Sequence, residues 1–275
     1  MNVLRTATVW VAAFVLAFFL AAFFLTLTAF ELTSEDTGQD ILRRSVAIST
    51  DIDAVLPGIE ANLDAVTAEG DSPTVTVPGF PIPVELTREE AATLRGADLR
   101  TRILDDSARL LYDEGGSAWA AGDPEASRDV ERLSTAGAID YGLGFISDST
   151  NTVLLIVSVL LAIIVLGLAG VLMVVLPWDM RILVAGGLIA FVALPSLAAA
   201  VGLRFVFRSA DDEGDPFVAG MLDLGVDAMS VPIRGFLVLS VLGIALILIA
   251  TLLLWWTSRL SPPDRSALDT PAQSG

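Results

Sequence analysis

Four arginines, Arg88, Arg95, Arg102 and Arg109, recur at intervals of seven. On one continuous helix that spacing makes a slowly drifting stripe of forked donors, suited to gripping phosphate or carboxylate groups. The same stretch carries acids that would occupy them. Asp98 and Asp106 lie four residues either side of Arg102, and Asp105 and Asp113 either side of Arg109, so an exposed face stitched by ion pairs is the expectation. Gly96 adds a point where the register can break. A second group, Asp211, Asp212, Glu213 and Asp215 around Gly214, gathers hard oxygen ligands of the kind that hold calcium or magnesium. It lacks the EF-hand spacing and a downstream glutamate, so a solvated charged loop is the simpler expectation.

Other acidic pairs are less specific. Asp51-x-Asp53 has the spacing of a glycosyltransferase metal-nucleotide motif but lies in an amphipathic helical pattern without a βαβ context. Adjacent carboxylates at Glu89-Glu90 and Asp105-Asp106 point about 100° apart on a helix and cannot face each other as an acid-base dyad. Ser117 and Ser134 have no His or Lys to activate them.

Composition narrows the chemistry further. With no Cys and no His, thiol catalysis, disulfides, imidazole acid-base work, haem ligation and ordinary zinc sites are absent. All 16 basic residues are Arg, which excludes a lysine Schiff base and a P-loop lysine. A net charge of −17 argues against a nucleic-acid partner or a basic membrane-binding patch. No cofactor is implied.

The elements that must position these residues are membrane helices. Residues 151–205 contain two apolar runs, 153–176 and 182–203, joined by Pro177, Trp178, Asp179, Met180 and Arg181. Each run matches the roughly 20 residues a span requires. The short polar joint predicts an antiparallel hairpin, with Pro177 ending the first helix and Trp178 and Arg181 at headgroup level. Residues 7–30 form a longer apolar run than a signal peptide needs, without a good cleavage site, and read as a first span within segment 1–30. Its Ala13, Ala17 and Ala21 predict a packing face flanked by Phe14, Phe18 and Phe19. Residues 235–256 supply a fourth span. None of the four contains an internal ionisable side chain, the usual mark of an ion path. Their small residues, Gly167 and Gly170, Gly186 and Gly187 with Ala190, then Ala198 and Gly202, are expected to let helices approach closely. Pro195 is expected to kink the third span.

Between the first two spans lies a polar segment, 31–152, with 24 acidic residues and nine arginines. Its pattern predicts a mainly helical domain. An amphipathic helix capped at Thr37 should break at Pro57-Gly58, with a second, short helix over 59–68. Prolines at 73, 78, 81 and 83 restrict 73–86 to an extended patch with at most an edge-strand pair. The Thr87-x-x-Glu90 capping box should start a helix ending at Gly115-Gly116. Asp123-Pro124 predicts a further helix to about Leu133, and 136–149 reads as helix entering the second span. In the second loop, 204–234, Asp215-Pro216 should start a helix with Phe217, Met221, Leu224 and Ala228 on one face. That face is expected to dock on the 31–152 domain. The tail, 257–275, is expected to be disordered.

The sequence therefore predicts an all-α membrane protein with four transmembrane helices: 1–30, 153–176, 182–203 and 235–256, with a 177–181 turn. A basic start and the acids after residue 30 favour cytoplasmic termini and extracytoplasmic 31–152 and 204–234. Four spans with a large first loop resemble claudin-type proteins in outline, but the loop motif of that family needs Cys, and no family is assigned. The function expected is non-enzymatic: an envelope protein that binds, senses or scaffolds through its outer domain, alone or as a subunit of a larger membrane assembly. Its partners would be membrane lipids and another membrane or envelope protein. Alternatives are an accessory or pore-forming transport component, and a carboxylate- or metal-dependent surface enzyme.

Overall fold

The computed structural model describes residues 3–69, 72–115, 145–210 and 214–260. Among these residues, four helices are long and apolar enough to cross a membrane. They are α1 (Val3–Leu32), α6 (Asp148–Val175), α7 (Trp178–Ser209) and α9 (Ser230–Leu260). Between α1 and α6 come α2 (Glu35–Thr50), α3 (Ile52–Glu69), strands β1 (Thr74–Thr76) and β2 (Glu85–Thr87), α4 (Arg88–Thr93) and α5 (Gly96–Glu114). Helix α8 (Pro216–Ala228) precedes α9. This is an all-α architecture of the membrane type, with one two-stranded antiparallel ribbon in which Val75 pairs with Leu86.

The contacts divide the chain into two units. One comprises Met1–Ala21, Ile163–Ala198 and Gly235–Gly275; the other, Ala22–Ala162 and Ala199–Arg234. In the first unit, Leu16, Leu172 and Leu176 form a buried apolar cluster, with Ala12, Leu168 and Val184 packed against it. Ala17 is buried, while Phe14 and Phe18 stay exposed, as the alternation of small and bulky residues predicts for a face turned inward.

Among the described glycines of that unit, those that meet a neighbouring helix lie between α7 and α9. A Cβ built on Gly186 would lie 2.8 Å from Leu246 Cβ and 2.9 Å from the Gly243 carbonyl oxygen, and one on Gly243 would lie 2.7 Å from the Ala190 nitrogen. Neither position has room for a methyl group. Among the described residues, Gly167, Gly170, Gly187 and Gly202 meet nothing within 4 Å, and Ala198 is exposed. The expectation that all of these serve helix packing is thus corrected: Gly186 alone among the expected glycines faces a partner backbone, and its neighbour Gly187, 100° around the helix, does not.

The joint between α6 and α7 is also shorter than the expected 177–181 turn. Only Leu176 and Pro177 lie outside helix, and Trp178 through Arg181 already form the first turn of α7. Pro177 lacks the N–H that would continue α6 and has a φ suited to starting the next helix. Helix α7 runs on through Pro195 without interruption.

In the second unit the polar segment folds around its own core. Leu42, Val46, Ile52, Leu63, Ile82, Val84, Leu86, Leu99 and Ile103 are all fully buried, each worth roughly 1.5–3 kcal/mol relative to exposure. The first helix does not break at Pro57-Gly58. It ends at Thr50, where Asp51 adopts a left-handed conformation at φ 44°, and Pro57 sits inside α3. Asp51 tolerates that conformation better than a branched residue would, so the turn falls there. The Thr87 capping box is present, with Thr87 Oγ1 accepting from the Glu90 N–H and Glu90 accepting from the Thr87 N–H. Its helix stops at Thr93, because Leu94 and Arg95 are extended, and α5 starts anew at Gly96. Gly115 ends α5 at φ 69°, a region open to glycine.

The helix expected at 123–133 and the tail 257–275 beyond Leu260 lie outside the described residues. So does most of 136–149. Its end departs from expectation, since Ile146 and Ser147 form a bend and α6 starts at Asp148. Ser147 Oγ accepts from the Thr150 N–H, the role of a helix cap.

Candidate functional site

Helix α2 brings together most of the polar chemistry in the second unit. At its start, Gly38 is buried, and a Cβ there would lie 2.9 Å from Ile146 Cγ2 and 3.1 Å from Tyr112 Cε2. The Tyr112 hydroxyl donates to the Thr33 carbonyl at 3.0 Å, and Thr33 Oγ1 reaches Asn151 Oδ1 at 3.4 Å. Thr33 is 1% exposed and Tyr112 3%, so the hydroxyl has found the partner that a buried tyrosine requires. Burial pushes the Tyr112 phenol above its ordinary value, and the carboxylates of Asp148, Glu35 and Asp113 add to this. This knot ties the end of α5 to the end of α1 and the first turn of α6.

Further along, α2 receives α8. Asp215 accepts from the Phe217 N–H at 2.9 Å as the N-cap, and Pro216 opens the helix, as its sequence requires. A Cβ on Gly220 would lie within 3.1 Å of three Ile48 side-chain carbons, and one on Gly225 would meet the Phe207 ring at 3.1 Å. Docking of the second loop on the 31–152 segment is therefore present. It is tight at Gly220, however, while Phe217, Met221 and Leu224 are only half-buried. Small residues permit a nearer approach than a stripe of bulky ones, so backbone proximity takes over part of the role expected of apolar bulk.

Where α2 and α8 diverge, a cleft of about 230 Å³ opens, lined by Asp40, Ile41 and Arg44 of α2, Leu224 and Asp227 of α8, and Ser230, among others. Arg44 Nη1 donates to Asp227 at 2.7 Å, and Arg44 Nε to Asp40 at 3.1 Å. Asp40 also accepts from Arg43 at 2.6 Å. One guanidinium thus bridges two helices at the edge of the cleft. The arrangement can hold small polar groups, but the paired charges are largely exposed, so each link adds about 0–1 kcal/mol.

The seven-spaced arginines do not form a stripe, because the extended Leu94 and Arg95 separate Arg88 from Arg102 and Arg109. Arg88 donates to the carbonyls of Ser72 and Thr67, both at 3.0 Å. Arg95 is paired with Asp64 and with the carbonyls of Ala91 and Leu94. Arg102 reaches Glu90 at 2.9 Å and Asp106 at 2.5 Å, and Arg109 reaches Asp106 at 3.2 Å. Asp105 pairs instead with Arg43, and Arg100 makes a two-point contact with Asp53 at 2.7 and 3.2 Å. Asp51-x-Asp53 is divided by this use: Asp51 turns the chain and Asp53 holds an arginine. Of the acidic loop, Asp211, Asp212 and Glu213 lie outside the described residues, and Asp215 is a helix cap.

The hydrogen bond from the Thr87 N–H, and then the one from Arg102, hold the Glu90 carboxyl below its usual range. The bond to Glu90 in turn raises Arg102. Since folding favours the ionised form of Glu90, its contribution is present above the unfolded value of about 4.3 and is lost as pH falls through the lower folded value. Glu90→Gln is expected to flatten that part of the acid-unfolding curve and to cost about 1 kcal/mol at neutral pH through the weakened cap. Thermal unfolding of the full chain between about pH 3 and 7 checks this, and an unchanged acid limb would refute it.

Sequence reasoning did not find Arg43, Arg44, Gly38, Gly220 or Gly243. Two signals were available: glycines inside helices, which carry a propensity cost unless something packs there, and Tyr112 beside a polar chain reversal. Comparison with protein-family models, with curated proteins and with solved structures finds no match.

Proposed function

We propose that the protein is a non-enzymatic component of the cell envelope that binds, senses or scaffolds through segment 31–152. In this reading both termini are cytoplasmic, and 31–152 and 204–234 lie outside. The observation that supports it is the fastening of α2: Gly38 beside Tyr112 and Ile146 at one end, Ile48 and Arg44 against α8 toward the other. A ligand or partner that shifts α2 would act directly on the ends of α1 and α6 and on the segment entering α9. The arginines placed in the domain are engaged in holding it together, which suits a rigid recognition module better than a catalytic surface. Its partners would be membrane lipids and a second envelope protein.

A transport component is the second reading, favoured by the buried hydroxyls of Ser158 in α6 and Ser240 in α9, neither of which has a hydrogen-bond partner among the described residues. Purification from native membranes discriminates the two. A stable co-isolated protein, lost on deletion of 31–152, is expected; solute or ion flux in vesicles holding this chain alone would overturn the first reading. A reporter joined after Ser149 should be extracytoplasmic and one after Gly275 cytoplasmic.

A further inference from the structure

The described arginines of the domain, Arg43 to Arg109, are engaged by carboxylates or carbonyls, but two at one end of the spans are held differently. At the start of α7, the Arg181 guanidinium lies 4.7 Å over the Trp178 ring, and its Nε donates to the Leu176 carbonyl at 3.2 Å. At the end of α9, the Arg259 guanidinium lies 4.3 Å over the Trp255 ring. Among the side chains described, neither has an ion-pair partner. Both belong to the same unit. There, Gly186 meets Leu246 and Ile247, while Ala190 meets Gly243, so α7 and α9 run antiparallel. Trp178 lies eight residues before Gly186 and Trp255 nine after Leu246, or about 12 and 13 Å along the respective axes. The two stacks therefore sit at one level, at the ends of apolar helices.

We propose that Arg181 and Arg259, each braced on its tryptophan, bind the phosphates of anionic phospholipid headgroups. A guanidinium stacked on a ring keeps its outer N–H groups available, and their planar fork matches a phosphate better than an ammonium does. Trp178 is 82% exposed, and Trp255 and Trp256 are 51% and 61% exposed. Such rings are stable at the headgroup level, where their apolar bodies and N–H groups are both satisfied, whereas a soluble phosphate would leave them facing water. The two turns carry a single acid, Asp179, against the two arginines, so the local charge favours an anion.

The test places the full chain in vesicles containing brominated phosphatidylglycerol or brominated phosphatidylcholine and reads quenching of tryptophan fluorescence. The expected result is a preference for phosphatidylglycerol that falls about five-fold for each arginine replaced in Arg181→Gln and Arg259→Gln. The paired Arg→Lys variant, which keeps the charge but loses fork and stack, should fall between. A Lys variant equal to the unaltered chain would show diffuse surface charge without a built site. A preference unchanged in the Gln variants, or abolished by millimolar inorganic phosphate, would equally overturn the proposal.

Discussion

Gly243→Leu is expected to loosen α9 from α7 and lower the thermal midpoint in detergent, at a cost of about 3 kcal/mol, the upper part of the range for overpacked sites. The reason is that even a Cβ would stand 2.7 Å from a backbone nitrogen, and backbone in the middle of α7 cannot rotate away as a flexible side chain could. Gly186→Leu should act similarly, and the double variant should cost less than the sum, since the first substitution already opens the shared seam. Gly187→Leu, on the open side of the same helix, is the control and should change little. Equal losses at 187 and 243 would show that the effect comes from added bulk at the helix surface rather than from the seam, since leucine is the better helix former.

Leu42→Ala should have a comparable effect on the other unit. The side chain is fully buried in the core formed by α2, α3 and α5 with the β ribbon, and truncation at such a site costs about 2–5 kcal/mol, depending on how far the surroundings collapse. Leu42→Met, which keeps the volume, should cost less than about 1.5 kcal/mol. Because α2 carries Ile48 and Arg44, the damage is expected to reach α8. Limited trypsin digestion should then cut faster at Arg208 and Arg234, which flank α8, as well as within the domain. Faster cutting confined to the domain would mean that α8 is held independently of α2, and the reading of α2 as the shared support would fail.

Both outcomes depend on close contacts that one-dimensional patterns express weakly. Four apolar runs of span length determined four helices, because backbone groups in hydrocarbon must be satisfied within the segment and only helix offers this to an isolated run. Local chemistry was equally legible at Thr87-x-x-Glu90, at Asp215-Pro216, at Gly115 and in the proline-limited ribbon, where the deciding interactions lie within a few residues of one another. Excluded chemistry was legible too, since a chain without His, Cys or Lys lacks them in any fold.

Which of two equivalent neighbours faces inward was decided by tertiary structure. Gly186 and Gly187 are identical as letters, but only one lies against the backbone of α9. Arg88 to Arg109 keep a perfect spacing, yet the extended Leu94 and Arg95 break the stripe, and the arginines go to separate places: Arg88 to two carbonyls, Arg95 to Asp64, and Arg102 and Arg109 to a shared Asp106. Pro57 looked like a helix end because proline removes one backbone hydrogen bond; the loss of one bond is outweighed when burial of Ile52, Ile59 and Leu63 keeps the helix in register. The bridge from Arg44 to Asp227 spans 183 residues, and no local rule selects that acid among the 33 in the chain. Periodicity and capping are properties of neighbours in sequence, whereas a pairing of this kind exists only after α2 and α8 have been brought together by the contacts around Gly220.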